Sequence, residues 1–148
     1  RISIMDSSSR SHIKTQLTHA DFKAFAENVT MEMLMDEAIL EWGDKKPKLI
    51  VGKLENNTDN DNLRVEDIYK EIRRVIKRSG VARIVHKTAL NFDYIIRTVI
   101  SSNTQHDRAT GQKMVSYTLS LEMTSIDGEL IGDWSDDLTL AKSARKFF

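Results

Sequence analysis

The side chains of this chain with the means for acid–base work or metal binding are four histidines, 22 aspartates and glutamates, and a run of asparagines; cysteine is absent. His12, His19, His86 and His106 fall in a polar N-terminal stretch, a helix entrance, a strand end and a loop. No two sit at a spacing that preforms a metal site. The run Asn56-Asn57-Thr58-Asp59-Asn60-Asp61-Asn62 is rich in oxygen ligands. Counted from Asp59, however, Arg64 stands where a calcium loop needs glycine and Lys70 where it needs glutamate. The plain reading is a turn leading into a helix, because Asn and Asp side chains satisfy the free amides of a helix start. Ser11 with Lys14 and Ser143 with Lys146 have the spacing of a serine nucleophile and its lysine, without the companion motifs. Neither common glycine-rich phosphate loop is present. Asp133, Asp136 and Asp137 read as the solvated end of a strand. The expectation is a domain that is not an enzyme, with no catalytic residue, cofactor or metal ligand. The enzyme alternative is a small metal-dependent hydrolase using the Asn56–Asp61 loop and the Asp133–Asp137 carboxylates.

Partner-binding residues are a different matter. One helix carries Lys70, Arg73, Arg74, Lys77 and Arg78 toward its end, with Glu66, Asp67 and Glu71 toward its start. That distribution complements the helix dipole, and it also offers a basic docking face for an acidic partner. Met31, Met33 and Met35 read as core filler or as an adaptable surface. Trp134 at the end of an apolar strand is expected at least half buried, with an interface anchor as the other reading. Composition narrows the partner: 22 basic and 22 acidic residues give a formal net charge of zero. That is not the footprint of a nucleic-acid binder. No run is long and apolar enough to span a membrane, and no secretory signal is present.

The elements that must position these residues follow from periodicity. Val115, Tyr117, Leu119, Leu121 and Met123 share one face of a strand, and Ser116, Thr118, Ser120 and Glu122 the other. Phe92–Asn103 and Lys113–Ser125 form a hairpin around a protruding polar loop, Gln105–Gly111, and Asp127-Gly128 turns into a third strand through Trp134. Upstream, residues 1–18 are polar and read as a flexible arm or linker end, with the globular domain over 19–148. A helix starts near Asp21, with Thr18 as its cap, and runs to about Glu41; Trp42-Gly43-Asp44 and Pro47 end it. Lys48–Leu54 reads as a buried strand, Asn56–Asn62 as a loop, Val65–Ser79 as a helix closed by Gly80, and Val81–His86 as a strand parallel to the first. Lys87–Asn91 is too short for a further parallel crossover, so the next strand is expected to be an antiparallel neighbour. The fold class is α/β, more specifically α+β: one domain, with a mixed or antiparallel sheet of four or five strands flanked by helices.

Leu49-Ile50-Val51-Gly52-Lys53-Leu54-Glu55-Asn56-Asn57-Thr58-Asp59, the helix Val65–Ser79 with Gly80, the hairpin, and Asp127-Gly128-Glu129-Leu130-Ile131 with Trp134 together resemble the LpoB family of outer-membrane lipoproteins, which activate class A penicillin-binding proteins. The resemblance covers roughly Asp21 to Asp137. Two positions depart from the family pattern. Gly132-Asp133 separates Ile131 from Trp134, leaving the facing of the indole open, and only Lys87–Asn91 stands where the family has a helical segment. A shortened member or a missing segment would explain the second departure, and the missing segment fits the topology better. The resemblance implies a non-enzymatic regulator on the periplasmic side of the outer membrane, tethered by a lipid on a cysteine upstream of Arg1. Its partner would be a class A penicillin-binding protein in peptidoglycan synthesis, with Asn56, Asn57, Thr58, Arg73, Lys77 and Trp134 as candidate contacts. The alternative is an envelope or flagellar-associated structural lipoprotein of the same fold, with self-association.

Overall fold

In a computed structural model that describes residues 10–142, with side chains from 19 to 140, the apolar periodicities resolve into two helices packed on one face of a mixed sheet. Helix α1 spans Arg10–Leu34, and a short helix α2 spans Glu37–Leu40. A single 3-10 turn, Gly43–Lys45, leads to β1, Lys48–Val51, and then β2, Glu55–Asn57. Helix α3, Val65–Ser79, precedes β3, Arg83–Val85. The chain ends in three long strands, β4 (Tyr94–Asp107), β5 (Gln112–Ser125) and β6 (Leu130–Lys142).

The strand order is β3-β1-β4-β5-β6, with β2 lying beyond β1 along the same side of β4. The sheet is therefore five strands wide, as the sequence leads one to expect. β1 is parallel to both β3 and β4, β2 is parallel to β4, and β4-β5-β6 form an antiparallel meander. Fold class and single α+β domain agree with the reading above. β1 and β2 are separated because Gly52 lets the backbones close up: its amide donates to the Ile96 carbonyl at 2.8 Å, and a Cβ there would lie 2.9 Å from that oxygen. Buried Thr98 donates its hydroxyl to the Gly52 carbonyl at 3.1 Å, closing the same junction.

The core lies between the helices and one sheet face. Phe22, Phe25, Ala26, Val29 and Met33 from α1 meet Ile68, Ile72, Val75 and Ile76 from α3 over Leu49, Val51, Ile96, Ile100, Leu119, Leu121 and Met123. Phe22 packs edge-on against Tyr117 at 4.9 Å, and Trp42 stacks on Tyr94 at 5.0 Å. Among the described residues no helix covers the opposite sheet face, which mixes short polar side chains, such as Ser116 bonded to Thr139 at 3.0 Å, with Val99, Arg97, Glu122 and Asp133.

Four local expectations change. The helix expected to start at Asp21 begins at Arg10, since no Gly or Pro interrupts the chain between these points. The first nine residues of the expected arm lie outside the described residues. The helix expected to reach Glu41 instead breaks after Leu34, where Asp36 caps α2 by accepting the Ala38 amide at 2.9 Å. The expected loop at Asn56–Asn62 begins with a paired strand, because Glu55–Asn57 lies against Val99–Ser101.

The fourth change concerns β3 and β4. They are not antiparallel neighbours; both run parallel to β1, one on each side of it. No long crossover is needed because the strands are short: Val85 is level with Ile50 and Tyr94 with Leu49, so residues 86–93 retreat by only one step while passing β1. Two strand spacings are about 10 Å, well within the reach of that segment. The topology that called for a missing segment at Lys87–Asn91 is thus made without one. Asp93 anchors the passage, accepting the Lys48 amide on its carboxylate at 2.8 Å and donating its own amide to the Lys48 carbonyl at 2.9 Å.

Candidate functional site

The parallel part of the sheet determines where a ligand can sit, because chain segments leaving neighbouring parallel strands diverge and open a crevice at their carboxyl ends. Here Lys53 follows β1, and His86 and Lys87 follow β3, so all three emerge on that side. Helix α3 forms the other wall through Glu66, Tyr69 and Arg73, with Val51, Ile84 and Val85 completing a groove of about 220 Å³. Tyr69 donates its hydroxyl to the Val51 carbonyl at 3.1 Å and so fixes the helix to β1. The guanidinium of Arg73 lies 5.7 Å from the Tyr69 ring centre, a cation–π contact that holds it over the groove. Three basic side chains, Lys53, Arg73 and Lys87, stand against one carboxylate, Glu66. His86 accepts the Thr88 amide at 3.2 Å on Nδ1. The groove suits a carboxylate-bearing or otherwise anionic group.

Lys77 lies one turn beyond Arg73 on the same exposed side of α3 and extends the basic surface past the groove. The other helix charges are differently engaged. Arg74 forks onto the buried carboxylate of Glu71, whose pKa is held below its ordinary value first by the hydrogen bond from Arg74 and further by the charges of Arg74 and Lys23. Arg64 pairs with Asp67 at 2.9 Å.

The six candidate contacts divide among three places. Arg73 and Lys77 come together on α3. Asn56, Asn57 and Thr58 lie in β2 and the turn after it, where the side chains of Asn56 and Thr58 hold the turn: Asn56 accepts the Thr58 amide at 3.0 Å and donates to the Asn60 carbonyl at 3.2 Å. The Thr58 hydroxyl accepts the Asn60 amide at 3.1 Å. Trp134 is only 6 % exposed, and its indole Nε1 donates to the second carboxylate oxygen of Asp36 at 2.9 Å. Its ring lies over Gly132, where an added Cβ would come 2.7 Å from the indole. Of the methionines weighed as core or surface, Met33 is buried while Met31 and Met35 are exposed.

A second hollow, of about 300 Å³, lies on the open sheet face between Arg97, Glu122, Asp133 and Ser135. Arg97 is forked onto Glu55 with bonds of 2.9 and 3.1 Å, which holds the Glu55 carboxyl below its usual range. The residues that sequence reasoning missed are Lys53, Tyr69, His86 and Lys87. Their signal was present: the first residues after two strands read as parallel must share one end of the sheet. Among the described residues no group of three or more His, Cys, Asp or Glu is placed to hold a metal ion, and no helix is long and apolar enough to cross a membrane.

No protein-family model matches the chain, and no curated protein matches it. Solved structures do. The LpoB C-terminal domain from Salmonella enterica is 13 % identical with a TM-score of 0.59, over 80 % of this chain and 98 % of that one. The LpoB C-terminal domain from Escherichia coli is 14 % identical with a TM-score of 0.56, again over 80 % and 98 %. A putative neuraminyllactose-binding hemagglutinin homolog from Helicobacter pylori is 9 % identical with a TM-score of 0.50, over 68 % of this chain and 67 % of that one. At these identities the likeness is one of fold: the chain has an LpoB-like fold.

Proposed function

We propose that this domain is a non-enzymatic regulator of peptidoglycan synthesis that binds and activates a class A penicillin-binding protein. In this reading the full-length protein is held on the periplasmic side of the outer membrane by a lipid upstream of Arg1. The observation that carries the reading is the match to nearly the whole length of two LpoB C-terminal domains. The residues support a binding role, since the groove beside α3 gathers cations around an aromatic ring. Lys53, Arg73, Lys77 and Lys87 make the docking face, and an acidic surface on the synthase is its complement. Activation then requires only that the domain bind one conformation of the synthase more tightly than another.

The test is the rate of glycan-strand polymerisation by a class A penicillin-binding protein from the same organism, with and without the purified domain. A saturable, several-fold increase that the double variant Arg73→Glu with Lys77→Glu abolishes supports the reading. Unchanged rates with no binding to the synthase overturn it in favour of a structural envelope lipoprotein of the same fold.

A further inference from the structure

The sheet has two outer edges, and they differ in length. β3 offers 3 residues, whereas β6 runs for 13, Leu130–Lys142. All register partners of β6 are on β5, and among the described residues no strand pairs with its other side. Every second residue of such a strand turns its backbone amide and carbonyl outward, a template for another strand. Folded proteins blunt long edges with proline, interior lysine or a bulge. β6 has no proline and no lysine before its last residue, and its one register shift lies at the start, opposite Met123/Thr124.

What β6 carries instead is negative charge. Asp133, Ser135 and Asp137 share the open sheet face, level with Glu122, Ser120 and Thr118 of β5, and Thr118 donates to Asp137 at 2.7 Å. Glu122 and Asp133 stand directly opposite each other, an arrangement of like charges that destabilises a sheet. The guanidinium in register with Glu122, that of Arg97, is already forked onto Glu55. A second copy of the chain is a poor occupant: antiparallel pairing of two β6 strands in full overlap sets Asp136 against Asp136, and the two-residue slips that keep the same face set Asp133 against Asp137 or Asp137 against Asp137.

We infer that the outer edge of β6 is a strand-addition site for a basic, extended segment of a partner protein. Lysines or arginines four residues apart meet Asp133 and Asp137 on the open face. Apolar residues of the added strand lie on the other face beside half-buried Leu138 and Leu140, where exposed Asp136 adds a third carboxylate. The site is separate from the α3 groove and does not depend on the function proposed above.

The test titrates the ¹⁵N-labelled domain with a capped peptide alternating valine with lysine and threonine, its lysines four apart, and with the same peptide carrying glutamate for lysine. The lysine peptide shifts β6 amides saturably, binds about tenfold tighter than the glutamate peptide, and loses about tenfold on the double variant Asp133→Asn with Asp137→Asn. An Arg73→Glu with Lys77→Glu variant binds it unchanged, so the two surfaces fail or stand separately. Equal binding of both peptides, amide shifts away from β6, or a concentration-dependent dimer paired through β6 in sedimentation would each overturn the inference.

Discussion

Asp36 joins two parts of the chain through one carboxylate: one oxygen caps α2 by accepting the Ala38 amide, and the other accepts the indole proton of Trp134 in β6. Its pKa is held below the ordinary 3.8, by the Ala38 amide first and by the Trp134 indole second. A carboxyl group depressed in the folded state contributes stability above its unfolded pKa and loses it as pH falls through the folded one. The acid limb of thermal stability, below about pH 4 for a group of this type, should therefore become shallower in Asp36→Asn. A melting series from pH 7 to pH 2 reads it, and an unchanged acid limb would show that the two bonds do not hold the proton off. Gly132 serves the same junction by leaving room for the Trp134 ring. Gly132→Ala must displace the indole, and overpacking of this kind costs about 1–3 kcal/mol. A lowered urea midpoint with a red-shifted tryptophan emission is the expected result.

Helix α3 shows at the element scale how two demands on one segment separate by face. Ile68, Ile72, Val75 and Ile76 are buried, while Arg73, Lys77 and Arg78 are exposed. Ile72→Ala is expected to cost about 2–5 kcal/mol in chemical unfolding, as a large-to-small change at a fully buried site. Arg78→Ala is expected to stay within about 0.5 kcal/mol of wild type in the same measurement. This helix was legible to its last residue because its periodicity, its acidic start and Gly80 are all local signals. The Val115–Met123 alternation was legible for the same reason. The break at Asp36 was missed although its cap on Ala38 is a local signal, because the apolar spacing continues through Ile39 and Leu40; its other bond, to Trp134, lies 98 residues away. β2 was missed because Glu-Asn-Asn has little strand preference of its own and is held by pairing with β4. The passage from β3 to β4 depended on relative register, which no local pattern carries. The site was legible in part: the cations Arg73 and Lys77 stand out on a helix, but joining them to Lys53, His86 and Lys87 requires knowing which strand ends are neighbours.

Across the whole molecule, zero net charge conceals a separation, with cations gathered at the β1/β3 end and carboxylates along β6. Opposed charged surfaces of this kind make any association at either one sensitive to salt. Stability is also unevenly spread. Ile96–Ile100 and Leu119–Met123 are paired in the middle of the sheet beneath both helices, whereas the tip of the β4–β5 hairpin is exposed. Hydrogen exchange should be slowest at the first two segments and fastest at Arg108–Gly111, and a uniform profile would contradict this layering. The tip has a further consequence. Among the described residues, those before it supply α1–α3 and β1–β4, and those after it supply β5 and β6. A cut at Thr110 would sever no core contact, while the 14 paired positions of β4 and β5 and the buried Leu119, Leu121, Met123 and Trp134 would still bind the pieces together. The molecule is in effect a receptor and a two-stranded insert that happen to be covalently joined, and expressing the halves separately would turn it into a split protein whose reassembly can be followed inside a living cell.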